Sequence, residues 1–361
     1  MFRLFKLSTT LVVSILLFAC GSSDKKQASK SIPEPARKAT VGEKAPIQSF
    51  SPQKTDYSGY YVGTINSNFP VQMELTLTGD SAALAGSYYY ESSAKPLSLR
   101  GKLTSKALTI TETNHEAVKT GSFNGQLTAP NRFEGVWKNS SGKKNLPFGL
   151  KRVASYQAKQ EAAAKASTRS IIPTFLSKSR PLGNLNETLK AEAVKRSQEF
   201  LKNGEEFAVS KNSVGWEMSQ DCKITFYSEE LISLMTTIYE YSGGAHGNTG
   251  YSTNTYRVSG EKLIDVSLAD LFVKNSNYLQ TLSKLVVNEL KKQNAPEVVS
   301  GRIATFNAED LKNFFLTSKS IKFVFEPYAV GPYAAGTYFA EIPYGQLNAI
   351  INADGPLKPL L

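Results

Sequence analysis

The sequence predicts an all-β N-terminal domain, a small antiparallel barrel or meander, followed by an α+β domain with an antiparallel sheet packed on helices. Three observations lead there. Residues 56–152 break into about eight short alternating segments separated by turn residues. Residues 153–169 change texture to an alanine-rich run. From residue 170 to 361 strand and helix patterns mix without regular βαβ alternation. A chain of 361 residues has room for two such domains.

Residues 1–19 read as an export signal. Arg3 and Lys6 precede an apolar run from Leu7 to Phe18, too short to span a bilayer comfortably. The run stops at Leu17-Phe18-Ala19-Cys20-Gly21, which resembles the lipobox of bacterial lipoproteins. That resemblance implies cleavage before Cys20, acylation of Cys20 (with palmitate among its acyl chains) and stable membrane anchoring. Gly21, where aspartate would signal retention, points by the same analogy to the outer membrane, facing periplasm or surface. Residues 20–55, rich in Ser, Lys, Pro and Ala, bury too little apolar surface to fold and are expected to be a flexible tether. The chain carries a net charge of +11, of which Arg3 and Lys6 leave with the signal. Its basic balance favours anionic envelope surfaces, and an exported, tethered protein is not expected to meet nucleic acid.

In the β-rich segment, glycines recur beside aromatic or leucine residues, at Gly59, Gly86, Gly101, Gly121, Gly125 and Gly135. Such glycines mark bulges or corners where a sheet curls. Alternation puts Tyr88 and Tyr90 on one face and Tyr89 on the other, so one tyrosine face is expected outward, where it can stack on a sugar. His115, alone between strands, reads as a turn residue. The run "YQAKQEAAAKASTR" (156–169) has the best helix former and a Glu161/Lys165 pair, and predicts a helical linker over 153–169.

In the second domain, "IIPTFL" predicts a strand. "NLNETLKAEAVKRSQEFLK" predicts a helix with Leu185, Leu189, Val194 and Phe200 near one side. Strands follow at "VGWEMSQ" and "CKITFYS", then a long hairpin pairing 231–241 with 249–258. "SLADLF" and "NYLQTLSKLVVNELKKQ" read as helices. Asn307 and Asp310 form a capping-box pattern before "AEDLKNFF". "IKFVFEPY" and "TYFAEI" read as strands, and Pro343 starts a last helix.

Two histidines and, once Cys20 is acylated, one thiol cannot build a nitrogen- or sulfur-ligated zinc site, so no metal or cofactor is expected. Cys222 reads as a buried small hydrophobe. No nucleophile elbow or phosphate loop is present. This shortage of proton-shuttling groups gives the expectation that no residue is catalytic and the chain is not an enzyme. The stretch "YSGGAHGNTGY" (241–251) then reads as a recognition loop. Its glycines permit positive φ, and His246 either pins the loop or faces a partner. Tyrosines among prolines at 327–344 lose little entropy on contact and suit a binding surface or a packed edge.

The Gly-Gly-Ala-His-Gly run of residues 243–247 and the Pro-Tyr-Ala-Ala-Gly run of 332–336 together resemble the extracytoplasmic domain of RsiV-type anti-sigma factors. A related domain precedes the catalytic domain of the peptidoglycan deacetylase PdaC. The resemblance covers Ser170 to Ile351. It implies an α+β fold that senses or binds a wall-related ligand, a lysozyme-type muramidase or peptidoglycan. His246, Gly244, Asn248, Tyr251, Tyr328, Pro332 and Tyr333 are the candidate contact residues. The expectation is an envelope lipoprotein with a non-enzymatic binding role. The alternatives are a hydrolase or other enzyme acting on envelope polymers, or a scaffold.

Overall fold

A computed structural model describes residues 57–78, 82–207 and 215–361. The signal, Cys20 and the tether lie outside them. The described residues fall in one compact unit.

Eight strands come first: β1 (Gly59–Ile65), β2 (Phe69–Thr78), β3 (Ala83–Tyr90), β4 (Leu97–Thr104), β5 (Ala107–Thr113), β6 (Lys119–Ala129), β7 (Arg132–Asn139) and β8 (Asn145–Ala163). Each pairs antiparallel with the next, and β1 pairs with β8, so the sheet closes into a barrel. Alternation fills the interior with Tyr61, Ile65, Met73, Leu99, Ile110, Phe123, Phe133 and Leu150. Closure needs close backbone approach. At Gly63 a Cβ would lie 1.9 Å from the carbonyl oxygen of Gly149, so only glycine fits.

β8 does not end with the barrel. It runs past Arg152 and pairs with β9 (Ala166–Phe175), matching Tyr156 to Pro173 and Ala163 to Ala166. The helical linker expected over 153–169 is therefore absent. Alanine's helix preference is worth only tenths of a kcal/mol per residue, and a ladder to β9 outweighs it. β9 then pairs in parallel with β10 (Trp216–Tyr227). The crossover that a parallel pair requires contains α1 (Arg180–Phe207). Its Leu182, Leu185, Leu189, Ala193, Ser197 and Phe200 recur at three- and four-residue spacing and are buried. Antiparallel β11 (Leu231–Tyr241), β12 (Asn248–Ser259) and β13 (Lys262–Asp265) complete a 13-stranded sheet. The β9–β10 pair corrects the expectation of a purely antiparallel C-terminal sheet.

A second, antiparallel sheet holds β14 (Phe314–Leu316), β15 (Ser320–Phe325) and β16 (Tyr338–Pro343), with α2 (Tyr278–Lys292) against β16 and α3 (Pro296–Val299) beside α2. Leu282, Val286 and Leu290 of α2 share a core with Phe323, Phe325 and Ile342. Two expected helices are single turns. Asn307 and Asp310 do cap each other, at 2.8 Å and 3.1 Å, but Phe314 and Phe315 are drawn into β14. After Pro343 only a 3-10 turn forms over Tyr344–Gln346. Among the described residues no helix is long and apolar enough to cross a membrane.

The barrel's outer face is pinned to β10. Gln72 donates to the carbonyl of Tyr227 at 3.0 Å and accepts its N–H at 3.0 Å, while Tyr60 donates to the same amide oxygen at 2.7 Å. Tyr89 reaches the carbonyl of Thr225 at 3.1 Å. The tyrosine run is therefore not free to meet a sugar. Tyr88 points into the barrel, Tyr89 is consumed in this seam, and Tyr90 packs on Tyr88 and Phe69.

Candidate functional site

The loop between β11 and β12 turns on Gly243 and Gly244, with φ of 99° and 95°. The Tyr241 hydroxyl closes it by donating to the carbonyl of Gly244 at 3.1 Å. Gly247 follows under tight constraint: a Cβ there would lie 2.5 Å from the Tyr239 ring. His246 is left exposed at the end of the loop.

A second segment, between β15 and β16, meets this loop. The His246 ring lies on the Tyr333 ring with centroids 3.7 Å apart and planes at 17°. Both side chains converge on one carbonyl. Tyr333 donates to the Gly247 oxygen at 2.7 Å, and His246 Nδ1 sits 3.0 Å from it. A carbonyl only accepts, so Nδ1 carries a proton. Tyr328 packs beside Tyr333 at 5.6 Å and is 62% exposed. Its φ of 74° is a conformation that bulky residues resist, and such strain collects at functional positions.

Beneath the rings the segments are stitched together. Glu326 accepts the Tyr251 N–H at 2.9 Å, and the Tyr251 and Thr337 hydroxyls pair at 3.0 Å. Tyr251 also meets the edge of Phe339 at 6.0 Å. Three candidates thus come together, His246, Tyr328 and Tyr333, while Tyr251 ties the same two segments to each other through Glu326 and Thr337. Pro332 precedes Tyr333 as the exposed start of a 3-10 turn. Gly244 serves the turn through its backbone, and the Asn248 side chain is exposed where β12 begins. Cys20 lies outside the described residues. Sequence reasoning missed Glu326 and Thr337. The available signal was their position flanking the proline–tyrosine run.

Other sequence candidates fall elsewhere. Cys222 is buried among Ile224, Ile232 and Leu234, and burial pushes its thiol up to about 11, which leaves it unreactive. His115 stands in an exposed turn. Among the described residues no three His, Cys, Asp or Glu side chains are grouped to hold a metal.

Two clefts open in this part of the molecule, and the larger includes Glu326, the partner of Tyr251. One, of about 500 Å³, reaches from Arg302 and Phe306 past Asp310, Lys312 and Asn313 to Glu326. The other, of about 360 Å³, is bounded by Thr253, Asn254, Asp265, Tyr278 and Lys312.

Comparison with known proteins gives two matched segments. Residues 157–249 match the family model described as Deacetylase PdaC. Residues 269–345 match the model described as a protein of unknown function, DUF3298. Over 160 residues the chain is 28% identical to the peptidoglycan-N-acetylmuramic acid deacetylase PdaC of Bacillus subtilis strain 168. That stretch is 44% of this chain and 33% of the relative, so the chain spans a third of that relative's length. Two solved structures of the DUF3298 family are also similar, each 16% identical and covering 55% of this chain and 94% of their own. The protein from Pseudomonas aeruginosa PAO1 gives a TM-score of 0.43, and the one from Bacteroides fragilis gives 0.37.

These matches correct one expectation. Scarcity of histidine and cysteine had argued against an enzyme, but homology to a deacetylase overturns that conclusion. Carboxylates can carry acid–base work without either residue, and Glu326, Glu309 and Asp310 line one cleft.

Proposed function

We propose that the chain is an envelope protein that acts on peptidoglycan, with the His246–Tyr333 face as the place where the wall polymer is held. The supporting observation is the stack itself. His246 comes from the segment matched to the deacetylase model, and Tyr333 from the DUF3298 segment. Two separate sequence runs thus build one exposed aromatic surface. Rigid amphipathic rings offer a large contact area at low entropic cost, and their faces suit the C–H faces of sugar rings. Homology to a peptidoglycan deacetylase supplies the polymer, and it favours a role in modifying the wall over scaffolding alone.

The envelope address rests on Cys20 and its lipobox-like surroundings. Cells fed labelled palmitate should label the unaltered protein and not Cys20→Ser.

The functional test is sedimentation of the full chain with purified sacculi. Tyr333→Ala should lower retention roughly three- to tenfold, the worth of one aromatic contact. Acetate and new reducing ends, assayed in the same tubes, report modification of the polymer. If the unaltered chain stays in the supernatant, the reading is wrong. Retention on immobilised lysozyme instead would move it to a protein partner, as the RsiV resemblance implies.

A further inference from the structure

Antiparallel neighbours put alternate connections of the barrel at the same end. The β1–β2, β3–β4, β5–β6 and β7–β8 connections share one end, and Tyr57 lies at the other. The β3–β4 connection is tied to the second sheet, because the Ser318 hydroxyl donates to the carbonyl of Glu91 at 2.8 Å. Among the described residues, no hydrogen bond joins the other three connections to the C-terminal half. They are joined to each other: Ser140, after β7, donates its N–H to the carbonyl of Thr120 on β6 at 2.9 Å, and Asn66, after β1, donates to that of Pro147 on β8 at 2.7 Å.

This free part of the rim combines two kinds of side chain. Phe69 and Val118, 40% and 55% exposed, are the most exposed large apolar residues among those described in the barrel. Around them stand Lys119, Lys138, Lys143 and Lys144, all exposed, and among the described residues none of the four has an ion pair. The surface acids of these connections are Glu91, which accepts from Gln72, and Glu116, beside His115. The Lys144 ammonium lies 5.9 Å from the centre of the Phe69 ring, so charge and ring are side by side. Their turn is fixed: the Asn139 side chain accepts the Lys144 N–H at 3.0 Å and donates to the Ser141 hydroxyl at 3.0 Å. Basic heads beside exposed apolar groups match the boundary of a bilayer, where apolar side chains enter the acyl region and ammonium groups stay with the phosphates. A soluble polyanion would engage the lysines but would leave Phe69 and Val118 in water.

We propose that this end of the barrel rests on a membrane of anionic phospholipid, with Phe69 and Val118 entering the interface and Lys119, Lys138, Lys143 and Lys144 meeting headgroup phosphates. The proposal rests on the envelope address above and is independent of the peptidoglycan reading. The reach is available. Between Cys20 and Tyr57 lie 36 residues. As the flexible tether their composition predicts, they would extend about 30–36 Å root-mean-square. The seven residues of β1 cover at most about 23 Å of barrel height. An anchor at Cys20 therefore lets the far end turn to the bilayer, at an effective concentration on the order of millimolar, where a weak surface suffices.

Sedimentation with phosphatidylcholine vesicles, with and without an equal part of phosphatidylglycerol, tests the surface. The protein is the mature chain from residue 20 with Cys20→Ser, so that no acyl chain contributes and every described residue is kept. It should partition onto the mixed vesicles and stay off pure phosphatidylcholine. Lys119→Ala, Lys143→Ala and Lys144→Ala should each lower partitioning about fivefold, the worth of one basic residue at an anionic surface. Lys190→Ala, Lys284→Ala and Lys358→Ala remove the same charge from exposed positions on α1, on α2 and near the C-terminus, and should leave it nearly unchanged. Phe69→Ser and Val118→Ser should each lower it roughly three- to tenfold at equal net charge. Both side chains face solvent, so these variants should fold, which near-ultraviolet circular dichroism checks. No partitioning onto the mixed vesicles overturns the proposal. Equal loss from the two lysine sets also does, since it would report net charge alone. Lysine dependence with no effect of Phe69→Ser or Val118→Ser overturns it in favour of a soluble polyanion. Failure of the envelope address shows separately, as a missing palmitate label, on which the vesicle assay does not depend.

Discussion

Glu112 is an acid inside a barrel filled with apolar side chains, and its surroundings explain why it stays. Tyr88 donates to one of its oxygens at 2.6 Å and Trp137 to the same oxygen at 2.8 Å, while Thr120 donates to the other at 2.5 Å. A carboxylate accepts at both oxygens, so three donors from β3, β6 and β7 are satisfied at once. Leucine removes both acceptors and leaves the hydroxyls of Tyr88 and Thr120 and the indole N–H of Trp137 facing apolar surface. Glu112→Leu should therefore cost about 2–4 kcal/mol, read from the midpoint of urea unfolding. The sequence did not disclose this network, because the alternating pattern of "LTITET" says which face is inward but not that an acid belongs there. The pairing of His246 with Tyr333 was half legible. Each run stood out alone, but nothing along the chain says that residues 87 positions apart stack.

At the scale of elements, periodicity was a good guide where burial repeats. The three- and four-residue spacing of α1 and the alternation of the barrel strands both follow from one face meeting a core. It failed where no face of an element is repeatedly buried. The second half of β8 pairs with β9, and its exposed alanines and lysines carry no burial signal, so helix propensity dominated the reading. The joint between β2 and β10 was equally hidden, since it depends on one amide. Gln72→Ala would leave the N–H and carbonyl of Tyr227 facing a gap. The expected cost is about 2 kcal/mol, with faster amide exchange at Tyr227 while barrel amides such as Phe123 stay protected.

Across the whole molecule, buried phenols set a limit on alkaline stability. Burial raises Tyr60, Tyr88, Tyr156 and Tyr344 well above the usual phenol range, with neighbouring groups adding to it. In the unfolded chain they ionise near 10. The folded state thus holds protons that the unfolded state releases, so stability is full below about pH 10 and falls as pH rises beyond it. These tyrosines lie in the barrel, in the seam and in the C-terminal core. Absorbance of tyrosinate and backbone circular dichroism, followed from pH 9 upward, should therefore change together. Ionisation of these groups with the fold intact would contradict the assignment.

The placing of β1 has a mechanical consequence. Its seven residues are laced to β2 along one edge and to β8 along the other. A tug along the axis of β1 from Tyr57 must slide both ladders at once, loading their bonds in parallel. Strands sheared in this way hold far more than strands peeled open one pair at a time, so the first strand serves the barrel as an anchor bolt.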